Sequence, residues 1–243
     1  MPFPFPLPRR VAAETLDGLA ADDPAAQRSR RDLRRIHRVM DTRRIALRAL
    51  REWDWPAREG APLRVLELGA GDASVMLGVA ASLAAHWPRV ELTLLDRQPV
   101  VDASTIAAYA AFGWAAQSRV ADVFAWVAAP EPARWDLIVA HLFLHHFEAD
   151  GLRSLLAAIA ARCDRAYACE PRRSALALAA SHLVGAIGAN AVTREDAVLS
   201  VHAGFTGREL STLWPHGGAG WHLDEYMAGA FSHCLRAHRQ AHA

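Results

Sequence analysis

The chain has 243 residues, 52% of them apolar and 22% charged, enough to fill one proper core. A formal net charge of +1 supplies no field that would gather nucleic acid. All 27 basic residues are arginine, which excludes a Walker-type phosphate loop and a Tyr-x-x-x-Lys reductase site, since both require a lysine.

The first stretch, Met1 to Pro8, alternates proline with apolar residues and lacks the continuous core of a signal peptide. An arm and a short helix near Ala12 to Ala20 are expected, followed from Arg28 to Trp53 by a strong helical pattern with Leu33, Ile36, Met40, Leu47 and Leu50 on one stripe. The arginines around that stripe fit a solvated face, a cap over the ligand end of the following domain, or an RNA-binding patch. For RNA the interleaved aromatics and the module signatures are missing. Residues 1–55 are therefore read as an N-terminal arm and helical cap, and residues 56–243 as the main domain after a linker from Trp55 to Pro62.

The main domain is organised around Val65-Leu66-Glu67-Leu68-Gly69-Ala70-Gly71-Asp72-Ala73-Ser74, an apolar run that passes two glycines and enters a helical pattern. Gly69 and Gly71 suit a tight turn that lets a ligand approach the main chain, and Asp72 is a plausible N-cap. The predicted units are strand Arg64–Leu68, helix Asp72–His86, strand Glu91–Leu95, helix Val100–Ala111, strand Gln117–Ala121 and a short helix Phe124–Ala128. Pro130 and Pro132 mark a loop, then strand Asp136–Ala140, helix Asp150–Arg162 and strand Arg165–Cys169 follow. This alternation predicts an α/β fold, a mostly parallel sheet with its ligand at the strands' C-terminal edge.

Beyond it, Pro171 to Ile187 reads as one helical stretch with the proline in its first turn, and Asn190 to Phe205 shows no clean periodicity. A lid is expected over about residues 188–215, with Gly204 and Gly207 as hinges, and Trp221–Met227 and Ala230–His238 read as an antiparallel hairpin. Cys163, Cys169 and Cys234 form neither a zinc-ligand pattern nor a disulfide framework, which fits a reducing cytoplasm. No apolar run of about 20 residues predicts a membrane span.

Leu92 to Asp96 and Ser118 to Asp122 are further apolar runs ending in acids, and Trp135-Asp136-Leu137-Ile138-Val139 supplies a D-x-I/V strand. Together with Glu67 to Gly71 these residues resemble the class I S-adenosylmethionine-dependent methyltransferases, from about Leu63 to the C-terminus. Leu144-His145-His146-Phe147 and Glu170-Pro171-Arg172 resemble more specifically the small-molecule branch that includes quinone and polyketide-tailoring enzymes. The resemblance implies a Rossmann-like seven-stranded sheet, S-adenosylmethionine as cofactor, and contacts to it from Glu67, Gly69, Ala70, Gly71, Asp96, Arg97, Asp122, Val123 and His141. Ala73 departs from the pattern at the third glycine position.

A methyl transfer to oxygen also needs the acceptor's proton removed, for which a histidine is suited, and His145 and His146 are the catalytic candidates. Phe143, Phe147, Glu170, Arg172, His202 and Phe205 are candidate substrate contacts, with Trp214 a further aromatic. No H-x-x-x-H or H-x-H cluster with a nearby acid suggests a metal. The Asn/Asp-Pro-Pro-Tyr/Phe turn of base-amino methylation and the Pro-Cys pair of cytosine C5 chemistry are both missing, which favours a small apolar acceptor over nucleic acid. A non-catalytic binding protein and a nicotinamide-dependent oxidoreductase stay open as alternatives.

Overall fold

The structure is a computed structural model and describes residues 7–53, 55, 61–130 and 134–240. Met1 to Pro6, most of the expected linker and Pro132 lie outside the described residues.

Seven strands form one sheet: β1 (Leu63–Leu68), β2 (Val90–Asp96), β3 (Trp114–Val120), β4 (Trp135–His141), β5 (Cys163–Pro171), β6 (Trp221–Ala228) and β7 (Ser232–Arg239). Their spatial order is β3-β2-β1-β4-β5-β7-β6, with β7 antiparallel to both neighbours and the other pairings parallel. The order reverses between β1 and β4, so the crevice at their C-terminal ends is where such a sheet takes a ligand. Every residue of β4 is buried, as a central strand covered on both faces requires.

Helices α1 (Thr15–Gly18), α2 (Pro24–Val39) and α3 (Thr42–Arg51) precede the sheet. Helices α4 (Ser74–Leu83), α5 (Ala103–Ala110), α6 (Val123–Ala128) and α7 (Ala149–Arg162) lie between the parallel strands, and α8 (Ala175–Ser181), α9 (Ala191–Ala203) and α10 (Glu209–Leu213) lie between β5 and β6. One core, around Leu50, Met76, Leu83 and Tyr109, joins α3, α4 and α5 to one face. The other, around Trp126, Leu155, Ile159 and Leu210, joins α6, α7 and α10 to the opposite face.

Four details differ from the sequence expectation, each for a local reason. The stripe from Arg28 to Trp53 is two helices, because Asp41 takes a left-handed conformation (φ 56°) between α2 and α3. Pro171 closes β5 opposite Ser232 rather than opening a helix, and α8 starts only after Ser174, whose hydroxyl accepts the Ala177 amide. Asn190 to Phe205 is not irregular: Asn190 caps the 13-residue α9, its side chain accepting the Thr193 amide at 2.8 Å. At Gly204, expected as a hinge, a Cβ would stand 2.3 Å from the Pro171 carbonyl oxygen, so the glycine marks tight packing of α9's end on β5.

Helix α9 shows no apolar stripe because it is docked largely by polar groups. Asp32 of α2, buried, accepts the Asn190 amide at 2.8 Å and pairs with Arg35 at 2.6 Å, while Ser29 and Thr193 share a hydrogen bond of 2.7 Å. Asp196 accepts the amides of Thr15 and Leu16 at 2.8 and 3.0 Å. Buried polar groups that find partners in this way hold two elements in one register. The result is a cover of α1, α2, α8 and α9 over the strand tips.

Candidate active site

Between that cover and the strand tips lies one cavity of about 900 Å³. Its floor is the loop from β1 to α4. Gly69, Gly71 and Ala73 all have positive φ, at 64°, 54° and 60°. Gly69 is required twice over, because a Cβ there would also meet the Phe143 ring at 2.1 Å. At Gly71 a Cβ would meet no heavy atom within 4 Å, so the backbone faces open space in the cavity wall. Ala73, not Asp72, occupies the N-cap position of α4 in a left-handed conformation that costs an alanine about 1–2 kcal/mol. The Tyr109 hydroxyl donates to the Ala73 carbonyl at 2.9 Å and holds it there. Asp72 still serves the helix end, accepting the Ser74 amide at 3.1 Å and pairing with Arg34 at 3.0 Å.

The acids at the strand tips surround this loop. Asp96 accepts the Gly71 amide at 2.8 Å and the Gln98 amide at 2.9 Å, which fixes the loop to β2 and leaves lone pairs on both oxygens. Asp122 caps α6 through the Phe124 and Ala125 amides. Glu67 and His141 form a buried pair, Oε1 to Nδ1 at 2.9 Å. Burial raises the Glu67 carboxyl above the usual carboxylate range, with His141 pulling the other way. The second oxygen of Glu67 and the second nitrogen of His141 are buried without a hydrogen-bond partner, and both residues line the cavity. Ala70, Arg97 and Val123 line it as well, so all nine expected cofactor positions meet at one place.

Beyond β4 the chain turns sharply. Leu142 has φ 51°, a strained value for a leucine, and the 3-10 turn Leu144–His146 follows. Glu170, fully buried, enforces this turn: its carboxylate accepts the amides of Phe143, Leu144 and His145 at 3.1, 2.9 and 3.3 Å and the His145 Nδ1–H at 2.8 Å. Four donors satisfy this buried side chain, and the turn they hold includes the strained Leu142.

His145 is held between two carboxylates, with Nε2 3.4 Å from Glu14 on the opposite side from Glu170. Burial works against its charge, but the carboxylates of Glu14 and Glu170 on either side win and push it up to about 9. His146 goes the other way, lowered by burial and by the charge on His145. The two rings lie 4.2 Å apart, and His146 Nδ1 stands 3.5 Å from Asp17. Phe143 and Phe147, ring centroids 5.1 Å apart, form an aromatic wall beside them.

Of the expected substrate contacts, Phe143 and Phe147 line the cavity and Glu170, Arg172, His202 and Phe205 do not. Glu170 is consumed by the turn. Arg172 and Phe205 pair through their backbones, with Phe205 and Trp214 fully in the core. His202 lies near the end of α9, where its carbonyl accepts the Arg10 amide at 3.0 Å. Sequence reasoning missed Glu14, Asp17, His37, Asp196 and Ser200, all of which line the cavity from the cover. Their only sequence signal was polarity in segments read as a solvated or covering helix and as a lid.

The architecture is that of the class I S-adenosylmethionine-dependent methyltransferases. The plantazolicin methyltransferase BpumL, solved with a monoazolic desmethylPZN analog and SAH, superimposes with a TM-score of 0.63 at 13% identity, covering 90% of this chain and 91% of that one. The mitomycin 7-O-methyltransferase MmcR gives 0.58 at 16% identity over 92% of this chain and 62% of its own. Magnesium protoporphyrin IX methyltransferase (ChlM) from Synechocystis PCC 6803, with bound SAM, gives 0.53 at 12% identity over 93% and 88%. No protein-family model matches the chain, and no curated protein matches it in sequence.

Proposed function

We propose that the protein transfers a methyl group from S-adenosylmethionine to a small, apolar, aromatic or polyketide-like acceptor, on oxygen in preference to carbon. The observation that carries this reading is that one cavity joins two chemically distinct compartments. At the strand tips Glu67, Asp96 and Asp122 surround an open glycine loop; under the cover Val11, Leu16, Leu33, Ile36, Val184 and Ile187 make an apolar chamber. The first matches a zwitterionic amino acid joined to a nucleoside, and the second matches a greasy acceptor.

The residues present fit that cofactor. Glu67 offers a buried carboxylate oxygen without a partner, as an ammonium group needs, and Asp96 retains acceptor sites for a pair of vicinal hydroxyls. Bound there, S-adenosylmethionine supplies a methyl group already activated for in-line displacement. The chain's contribution is alignment: the Glu170-braced turn sets Phe143 and Phe147 as walls and His145 and His146 as the polar end of the chamber. Positioning of this kind accounts for several kcal/mol of a displacement barrier. A neighbour of the same fold, MmcR, is by its printed name an O-methyltransferase, which supports oxygen as acceptor.

Calorimetric titration with S-adenosylhomocysteine and with NADH tests the cofactor reading: saturable binding of the first and none of the second is expected, and the reverse overturns it. A methyl-release assay over a panel of phenols and quinols tests turnover. Binding with no release on any acceptor would favour a non-catalytic binding protein.

A further inference from the structure

We propose that Glu14, His145 and His146 form a binding site for a divalent transition-metal ion, facing the acceptor chamber. One ligand atom from each of these residues lies within 4.8 Å of the others. One carboxylate and two imidazoles are the donor set of many catalytic zinc and iron sites, which use three protein ligands and leave a position open.

The geometry around His145 and Glu14 suits an ion. His145 Nε2 is buried and makes no hydrogen bond, although Glu14 Oε1 stands only 3.4 Å away. That separation is poor for a hydrogen bond but close to the edge of a tetrahedron with metal bonds of about 2.0–2.1 Å. The opposite nitrogen of His145 donates to Glu170 at 2.8 Å, the carboxylate–histidine arrangement that fixes the tautomer and orients a metal ligand. The same Oε1 of Glu14 accepts a hydrogen bond from the Ser200 hydroxyl, which holds the carboxylate in place.

Sequence placed no metal here because the acid comes from the N-terminal segment, more than a hundred residues from the histidines, and only the docking of α1 on α9 brings it in. All three residues line the cavity, so the ion's remaining position faces the chamber. There it would hold an acceptor hydroxyl as its oxyanion, the proton leaving to solvent, as metal-bound water ionises near neutral pH. That role rests on the methyltransferase reading; the ion site itself does not.

The test uses untagged, chelator-treated full chain titrated with cobalt(II), followed by its visible absorption, and with zinc(II), followed by calorimetry. Saturation at one ion per chain is expected, with at least tenfold weaker binding in Glu14→Gln and in His146→Gln, both checked for an unchanged melting temperature. Absence of saturable binding overturns the site, and so does binding at full strength in both variants, which would place the ion on other histidines. S-adenosylhomocysteine titrated into the metal-free chain reports on the cofactor reading separately. Cofactor binding without metal binding sinks only the ion, and metal binding without cofactor binding sinks only the methyl-transfer reading.

Discussion

The Asp96 carboxylate already accepts two loop amides, so it both shapes the glycine turn and presents acceptor sites to a ligand. Asp96→Ala is expected to weaken S-adenosylhomocysteine binding at least tenfold, about 1.4 kcal/mol, by calorimetry; unchanged affinity would remove the ribose assignment. The two glycines of the turn should separate under substitution. Gly69→Ala introduces a Cβ into the Phe143 ring as well as an unfavourable φ, and is expected to lower the unfolding free energy by more than the ~1–2 kcal/mol of φ strain alone. Gly71→Ala, with open space around its Cβ, should lose about that strain and no more, yet bind S-adenosylhomocysteine poorly because the methyl occupies the ligand's approach. Equal losses of stability in urea melts would contradict this account.

His37 carries a pH signature. Burial, with a smaller push from His141, lowers its imidazole to about 4, against a weak opposing pull from Asp72. Its hydrogen-bond neighbour is the Thr42 hydroxyl at 3.3 Å. The unfolded chain binds a proton there near pH 6.5 and the folded one does not. The contribution to stability is therefore complete above about pH 6.5 and disappears as pH falls toward 4. His37→Leu should flatten the fall in urea midpoint between pH 7 and 5 relative to the parent chain; parallel curves would show that His37 titrates normally.

At the scale of elements, the turn after β4 depends on β5 through one side chain. Glu170→Gln keeps the shape but replaces an acceptor oxygen by an amide that faces the His145 donors, so a loss of about 2–4 kcal/mol is expected in chemical denaturation. A loss under 1 kcal/mol would mean that the turn is held by something else. The same turn shows where sequence reading succeeds and stops. That Glu67, Gly69, Gly71, Asp96 and Asp122 would gather at one edge was legible because a strand tip announces itself, an apolar run ending in an acid or a glycine. Glu170 sits at such a tip too, and was assigned to substrate, because the sequence does not say which way a strand-end side chain points. Helix α9 shows no clean periodicity in sequence because it is docked by Asp196, Thr193 and Ser200 rather than by an apolar stripe. Helices α2 and α3 were fused because apolar spacing carries on across Asp41, and only a left-handed φ separates them.

Over the whole molecule the sheet and its cover differ in how they are held. The strands share a continuous core on each face, whereas α1 has no buried residue and is tied down by hydrogen bonds to α9. Such a region sits at the low end of local stability. S-adenosylhomocysteine is accordingly expected to slow amide exchange over residues 11–18 and 191–203 while leaving β6 and β7 unchanged; uniform slowing across the sheet would show instead that the ligand stabilises the domain as one unit. Among the described residues no helix is long and apolar enough to cross a membrane.

Arg9 donates to the carbonyls of Ala203, His145 and Phe147, and Arg173 donates to that of Leu7, so residues near the amino end are fastened to partners as many as 194 positions later. Contacts of such span are entropically expensive to close and form late. During synthesis the segment around Arg9 must therefore stay unfastened until α9 has emerged. The roof over the strand tips therefore latches only once both of its distant halves have been made.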